Sequence, residues 1–186
     1  MIFNPKKSAV MLFKPKDAKK LNSPVFALNS VAIDIVEEYK YLGCIICDNL
    51  SDEKDIDRQK IKLYGQGNTL IRTFYMCSLD VKITLFRTYC TPLYCAQLWC
   101  RFKQSSNRKG ALSKLYVAYH NILKLLIGVS KYERNSPIYA YLNVPNCAAV
   151  LRNLIYRFIC RLEKSENNIL QALISGHWYS SFLRGR

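Results

Sequence analysis

The sequence has 186 residues, of which 50% are hydrophobic and 22% are charged, and this composition excludes a disordered chain. Its 28 basic side chains outnumber 13 acidic ones, which leaves a net charge of +15. An excess of this size indicates a polyanionic partner, with nucleic acid ahead of an anionic membrane surface.

Short apolar runs bounded by turn residues predict β-strands in the first 50 residues. These runs are Val10–Phe13, Val25–Leu28, Val31–Ile33 and Tyr39–Cys47. The pair Asn29 and Ser30 predicts a hairpin turn between the second run and the third. Gly43 predicts a break, a bulge or a bend within the fourth run.

From about residue 52 the apolar spacing becomes helical. Helices are predicted over about 52–75, 79–102, 112–127, 146–164 and 169–174. Pro92 should kink or split the second helix, Gly128 should end the third, and Asn146 should cap the fourth. Strands followed by helices predict an α+β fold. We divide it into residues 1–50, a helical region 51–130 and a helical extension 131–186.

Charge is distributed along the chain in blocks. Residues 21–57 contain eight acidic side chains and two lysines, whereas residues 58–134 contain fourteen basic side chains and two acidic ones. The second block predicts contacts with phosphate groups, with neighbouring tyrosines available for stacking on bases. The candidate nucleic-acid-binding residues are Arg58, Lys60, Lys62, Arg72, Lys82, Arg87, Arg101 and Lys103.

The sequence contains no self-sufficient catalytic or metal-binding set. Cys44 and Cys47 have zinc-site spacing but no second pair, so they are interpreted as structural thiols. The acidic run at 48–57 lacks the pattern of a calcium loop and is interpreted as the charged start of a helix. Phosphate-loop, dinucleotide and nucleophile-elbow patterns are absent.

Location is predicted from cysteine use and from apolar segments. Eight cysteines in 186 residues are too few for a disulfide scaffold, which favours a reducing, intracellular compartment, nuclear or cytoplasmic. The N-terminus shows no secretory signal. The longest apolar stretch is too short and too polar to span a bilayer, so no membrane partner is expected.

The order of several motifs resembles the reverse transcriptases of non-LTR (LINE-type) retrotransposons. Phe3–Phe13 is similar to the segment that closes the palm in that family, and Lys40–Gly43 (KYLG) is similar to its primer-grip strand. Phe86–Trp99, with its Phe, Tyr, Pro-Leu-Tyr and Leu-Trp positions, resembles a helical part of the thumb. Leu123–Gly128, followed by Ser136 and Pro137, is similar to the region beyond the thumb.

The resemblance implies supporting roles for a few residues. Lys7 would correspond to a palm lysine near the incoming triphosphate, and Tyr41, Leu42 and Gly43 to the grip that positions the primer end. The helices after Arg58 would form a thumb that holds an RNA or DNA template–primer duplex. The family's catalytic Asp-Asp pair has no counterpart, because the sequence contains no such dipeptide.

Two hypotheses about function follow. In the first, the chain is a truncated palm–thumb fragment of an RNA-directed DNA polymerase, inactive alone, with residual affinity for nucleic acid. Mg²⁺ would then be needed only by the complete polymerase, and the fragment itself would carry no cofactor. In the second, the chain is an independent basic helical adaptor that binds RNA, DNA or another protein. The oligomeric state stays open.

Overall fold

Six short strands precede six α-helices in the part of the chain that the computed structural model describes, residues 4, 8–13, 24–99 and 110–176. This arrangement confirms the predicted α+β class. The chain divides into two compact units, Met1–Asp55 and Ile56–Arg186. We call them the strand unit and the helical unit.

The strand unit contains three separate two-stranded sheets among its described residues. The strands are β1 (Ala9–Val10), β2 (Ala27–Leu28), β3 (Val31–Ala32), β4 (Asp34–Ile35), β5 (Glu38–Tyr41) and β6 (Cys44–Cys47). Strands β1 and β4 pair in parallel, whereas β2 with β3 and β5 with β6 form antiparallel hairpins. Most strands are thus only two residues long, shorter than predicted.

Both hairpins turn on residues with left-handed backbone conformations. Asn29 and Ser30, with φ of 52° and 64°, connect β2 to β3, which confirms the predicted hairpin. Leu42 and Gly43, with φ of 46° and 84°, connect β5 to β6. Two successive residues of positive φ match the right-handed twist of a tight hairpin. The predicted break at Gly43 is thus confirmed, but the prediction of a single strand over Tyr39–Cys47 is wrong, because the chain reverses there.

Most helices lie close to their predicted spans, but the second is shorter than the predicted 79–102, because it ends before Pro92. They are α1 (Glu53–Thr73), α2 (Leu79–Tyr89), α3 (Ala111–Ile127), α4 (Asn135–Leu142), α5 (Cys147–Glu163) and α6 (Asn168–Ser175). Helix α2 ends before Pro92, and a short 3-10 helix, Ala96–Leu98, follows it. Helix α4 was not predicted, since its eight residues include Pro137 and offer little periodicity.

Helix ends are fixed by local chemistry. The Asn146 side chain accepts a hydrogen bond from the backbone nitrogen of Ala149 at 2.9 Å, which caps α5 as predicted. Gly128, with φ of 75°, ends α3 as predicted, and its N–H bonds back to carbonyls of the last turn. At the start of α1, the buried Asp55 carboxylate accepts the backbone N–H of Ile45 at 3.0 Å, which ties β6 to the helix start.

The core of the helical unit lies between α1, α2, α3 and α5. Its fully buried side chains include Phe86, Leu115, Tyr119, Ile122 and Leu151. The rings of Phe86 and Tyr119 meet edge to face at 5.0 Å, a favoured aromatic arrangement. The Tyr119 hydroxyl donates to the carbonyl of Pro145 at 3.1 Å, so its polar end is satisfied. This core holds the helices that carry the basic side chains.

No helix within the described residues is long and apolar enough to cross a membrane.

Candidate nucleic-acid surface

Two of the predicted basic residues are exposed on α1. Lys62 and Arg72 both lie on the solvent side of the helix, and neither has an ion-pair or hydrogen-bond partner among the described residues. Cations of this kind are available to phosphate groups, because no carboxylate of the described residues pairs with them. They are the predicted residues that fit a binding surface best.

Other predicted residues have structural partners. The Lys60 ammonium pairs with the carboxylate of Asp57, one turn earlier on α1. Arg87 donates to the carbonyl oxygens of Leu142 and Asn143, at 3.3 and 2.7 Å. Those carbonyls end α4, so Arg87 satisfies groups that the helix itself cannot. Its first role is therefore to hold α4 in place.

The remaining predicted cations are less accessible or are not described. Arg58 and Lys82 are half-buried, on α1 and α2 respectively. Lys7, Arg101 and Lys103 lie outside the described residues. Arg58 and Lys82 therefore contribute less to an exposed surface than Lys62 and Arg72 do.

Lys124 shows that a cation of the basic block can belong to the core. Only 5% of this residue is exposed. Its ammonium donates to the carbonyl oxygens of Lys131 and Glu133, at 3.0 and 2.6 Å. These bonds hold the loop after α3, so Lys124 is not available to a ligand.

The residues that resemble a primer grip form the tip of a hairpin. Tyr41 ends β5, opposite Cys44 of β6, and Leu42 and Gly43 make the turn. Tyr41 and Leu42 are 58% and 73% exposed. An exposed aromatic ring and an exposed apolar side chain at a turn are both accessible to a partner.

Sequence reasoning missed a basic stripe on α5. Arg157, Arg161 and Lys164 are exposed and stand four and then three residues apart, so they share one face of the helix. Their spacing was a usable signal, but it lay outside the block of strongest charge. Together with Lys62 and Arg72 they give five exposed cations without an ion pair among the described residues. We call these five residues the cation set.

The described residues contain no cluster of three side chains suited to a metal ion. Cys47 is a buried free thiol, as predicted, and burial raises its pKa. Cys44, in contrast, is disulfide-bonded, so the interpretation of both residues as thiols is wrong for Cys44.

Comparison with known proteins yields no similarity: no family model, no curated protein and no solved structure matches the chain.

Proposed function

We propose that the helical unit binds nucleic acid through its phosphate backbone, without a preference for sequence. The observation that carries this proposal is the cation set on α1 and α5. Each of its members is exposed, and the described residues supply no carboxylate to neutralise any of them. Phosphate contacts of this kind position a protein on a nucleic acid but carry no sequence information.

The net charge supports the same proposal. A charge of +15 on 186 residues creates a positive potential that attracts polyanions over long range. The charge is concentrated in the helical unit, while residues 21–57 are acidic. A nucleic acid should therefore approach the helices rather than the strand unit.

Salt dependence is the direct test of backbone binding. If five phosphates are neutralised, log K for a duplex should fall with log salt at a slope of about −4 to −5. Replacing Arg157→Glu and Arg161→Glu together should flatten the slope by about 2 and weaken binding to all sequences alike. Fluorescence anisotropy of labelled duplexes between 50 and 300 mM salt, on the order of the physiological range, measures both quantities.

The matched control changes the same charge in the other unit. Lys40→Glu with Lys54→Glu gives the same net charge as the α5 double variant, but both positions lie in the strand unit. Binding by the helical unit predicts a much smaller loss for the control. Equal losses in the two variants would mean that only total charge matters, and a flat salt response would contradict the proposal.

We further propose that the chain is a polymerase-derived fragment, similar to the palm end and thumb of a non-LTR retrotransposon reverse transcriptase, and inactive alone. The support is the motif order from Phe3 to Pro137 together with the absence of an Asp-Asp dipeptide. Phosphoryl transfer in such enzymes needs carboxylates that hold two metal ions. Primer extension on an RNA template with Mg²⁺ or Mn²⁺ should show no incorporation above a no-enzyme control. Measurable incorporation would refute the fragment proposal.

A further inference from the structure

A cavity of about 390 Å³ lies between α3, α4 and the beginning of α5, within the helical unit. Three rings line it: Tyr116, His120 and Tyr139. Three small polar side chains also line it: Asn135, Ser136 and Asn146. Aromatic walls with a few hydrogen-bonding groups are typical of sites that bind flat organic ligands, and the volume lies in the range of such sites.

The rings of the cavity are held in place and uncharged. His120 and Tyr139 meet edge to face at 5.4 Å, and the His120 Nδ1 lies 2.5 Å from the Tyr139 hydroxyl oxygen. Burial lowers the pKa of His120, with the nearby Lys124 adding to the effect. Burial also raises the pKa of Tyr116 to about 12 and raises the pKa of Tyr139. At neutral pH the aromatic lining therefore carries no charge.

One polar atom of the lining lacks a partner. The side-chain Oδ1 of Asn135 is buried and has no hydrogen-bond donor among the described residues. Leaving such an acceptor unpaired is costly, which points to a ligand that supplies a donor. Asn146 uses its Oδ1 to cap α5, and its amide nitrogen carries two N–H donors. The lining thus offers both an acceptor and donors.

Positive charge lies along α5, which also contributes to the cavity wall. Arg152, exposed on α5, acts electrostatically on the Tyr116 hydroxyl. The stripe of Arg157, Arg161 and Lys164 continues along the same helix. No cation is among the described lining residues, and a neutral lining of this kind does not suit a phosphate. A flat neutral group joined to phosphates matches the two environments together.

We propose that this cavity binds one unstacked nucleobase of a single-stranded nucleic acid, with the exocyclic amino group of the base donating to Asn135. The inference rests on the proposed function, since the strand would be held by phosphate contacts outside the cavity. Insertion of a base between aromatic side chains would favour single strands over duplexes, whose bases are already stacked.

A nucleoside tests the cavity without phosphate groups. Saturation-transfer NMR on the full chain should detect adenosine, and purine riboside, which lacks the amino group, should bind about tenfold more weakly. Ala148 also lines the cavity, so Ala148→Leu should fill it and abolish the adenosine signal. Ala140→Leu makes the same change at an exposed position of α4 outside the lining, and it should bind like the wild type.

A second variant keeps the proposal testable if Ala148→Leu does not fold. Asn135→Leu keeps the side-chain size but removes the acceptor, so adenosine and purine riboside should bind equally. An absent adenosine signal in the wild type would overturn the proposal. So would unchanged adenosine binding in Ala148→Leu with a native circular dichroism spectrum.

Oligonucleotides separate this inference from the proposed function. A 12-nucleotide RNA should bind about tenfold more tightly than an abasic strand with the same phosphates, and Ala148→Leu should remove this difference alone. If the abasic strand does not bind, the proposal of phosphate-backbone binding is wrong. The nucleoside data then still test whether the cavity binds a base. If both strands bind equally and adenosine does not bind, the cavity proposal fails and backbone recognition stands.

Discussion

The two units of the chain differ in the burial of their large hydrophobic side chains. In the strand unit, most of those on β3 to β6 are exposed: Val31, Ile35, Tyr39, Tyr41 and Ile46. In the helical unit, Phe86, Leu115 and Ile122 are completely buried. Two-residue strands in separate pairs cannot form a continuous buried face, whereas amphipathic helices can. The comparison teaches that apolar content alone does not make a core, and that the stability of the fold resides in the helices.

The largest expected effect comes from the centre of the helical core. Phe86→Ala should lower the free energy of unfolding by about 3–5 kcal/mol, because it leaves a cavity beside Tyr119. Ile35→Ala on β4, which is already 41% exposed, should cost only about 0.5 kcal/mol. Urea denaturation followed by circular dichroism measures both. Similar losses in the two variants would break the contrast between the units.

The next largest loss of stability is expected for Lys124, the buried cation of α3. Lys124→Met keeps most of the side-chain volume but removes the donor to the carbonyls of Lys131 and Glu133. Hydrogen bonds from a charged donor are worth about 1.5–3 kcal/mol, so a loss of that order is expected. Lys62→Met, at an exposed position, should leave stability unchanged and weaken only duplex binding. A stability loss in Lys62→Met but not in Lys124→Met would contradict the structural role of Lys124 and the binding role of Lys62.

Replacement by alanine should change stability in opposite directions at two glycines of α1, Gly65 and Gly67. A Cβ at Gly67 would lie 2.4 Å from the Ile122 Cγ2, so Gly67→Ala should destabilise the fold by about 1–3 kcal/mol. A Cβ at Gly65 meets nothing within 4 Å. Gly65→Ala should therefore stabilise the helix by about 0.5–1 kcal/mol. Thermal melts of the two variants provide the test. A shift of the melting temperature in the same direction for both would show that α1 packs differently.

The smallest effect should be a pH dependence of the helical unit. The pKa of His120 is lowered from 6.5, by burial first and Lys124 second. Because the unfolded chain binds the proton more tightly, this contribution to stability is complete above about pH 7. It begins to be lost as pH falls below 6.5 and is fully lost once pH is below the lowered pKa of His120 in the folded chain. His120→Gln should reduce the decline in urea midpoint between about pH 7 and pH 5.5. An identical decline in the variant would assign it to other groups.

The helices were predictable because their signals are local. Apolar periodicity, Asn146 at an N-cap and Gly128 after a last turn each act within a few residues. The hairpin at Leu42–Gly43 was missed because Leu is a rare residue at positive φ. Exposure of the basic residues depends on packing between distant segments, so charge alone did not separate Lys62 from Lys124. The cavity likewise needs α3, α4 and α5 together.

The burial of Lys124 makes this residue a reporter on its own unit. Amine-reactive reagents and trypsin both require access to the side chain, and in the folded chain the Lys124 ammonium is bound to two carbonyl oxygens. Its labelling rate would therefore follow the opening of the α3 region rather than surface chemistry. Mass spectrometry of a labelled sample would thus read local opening at Lys124 and simple accessibility at Lys62 in one experiment.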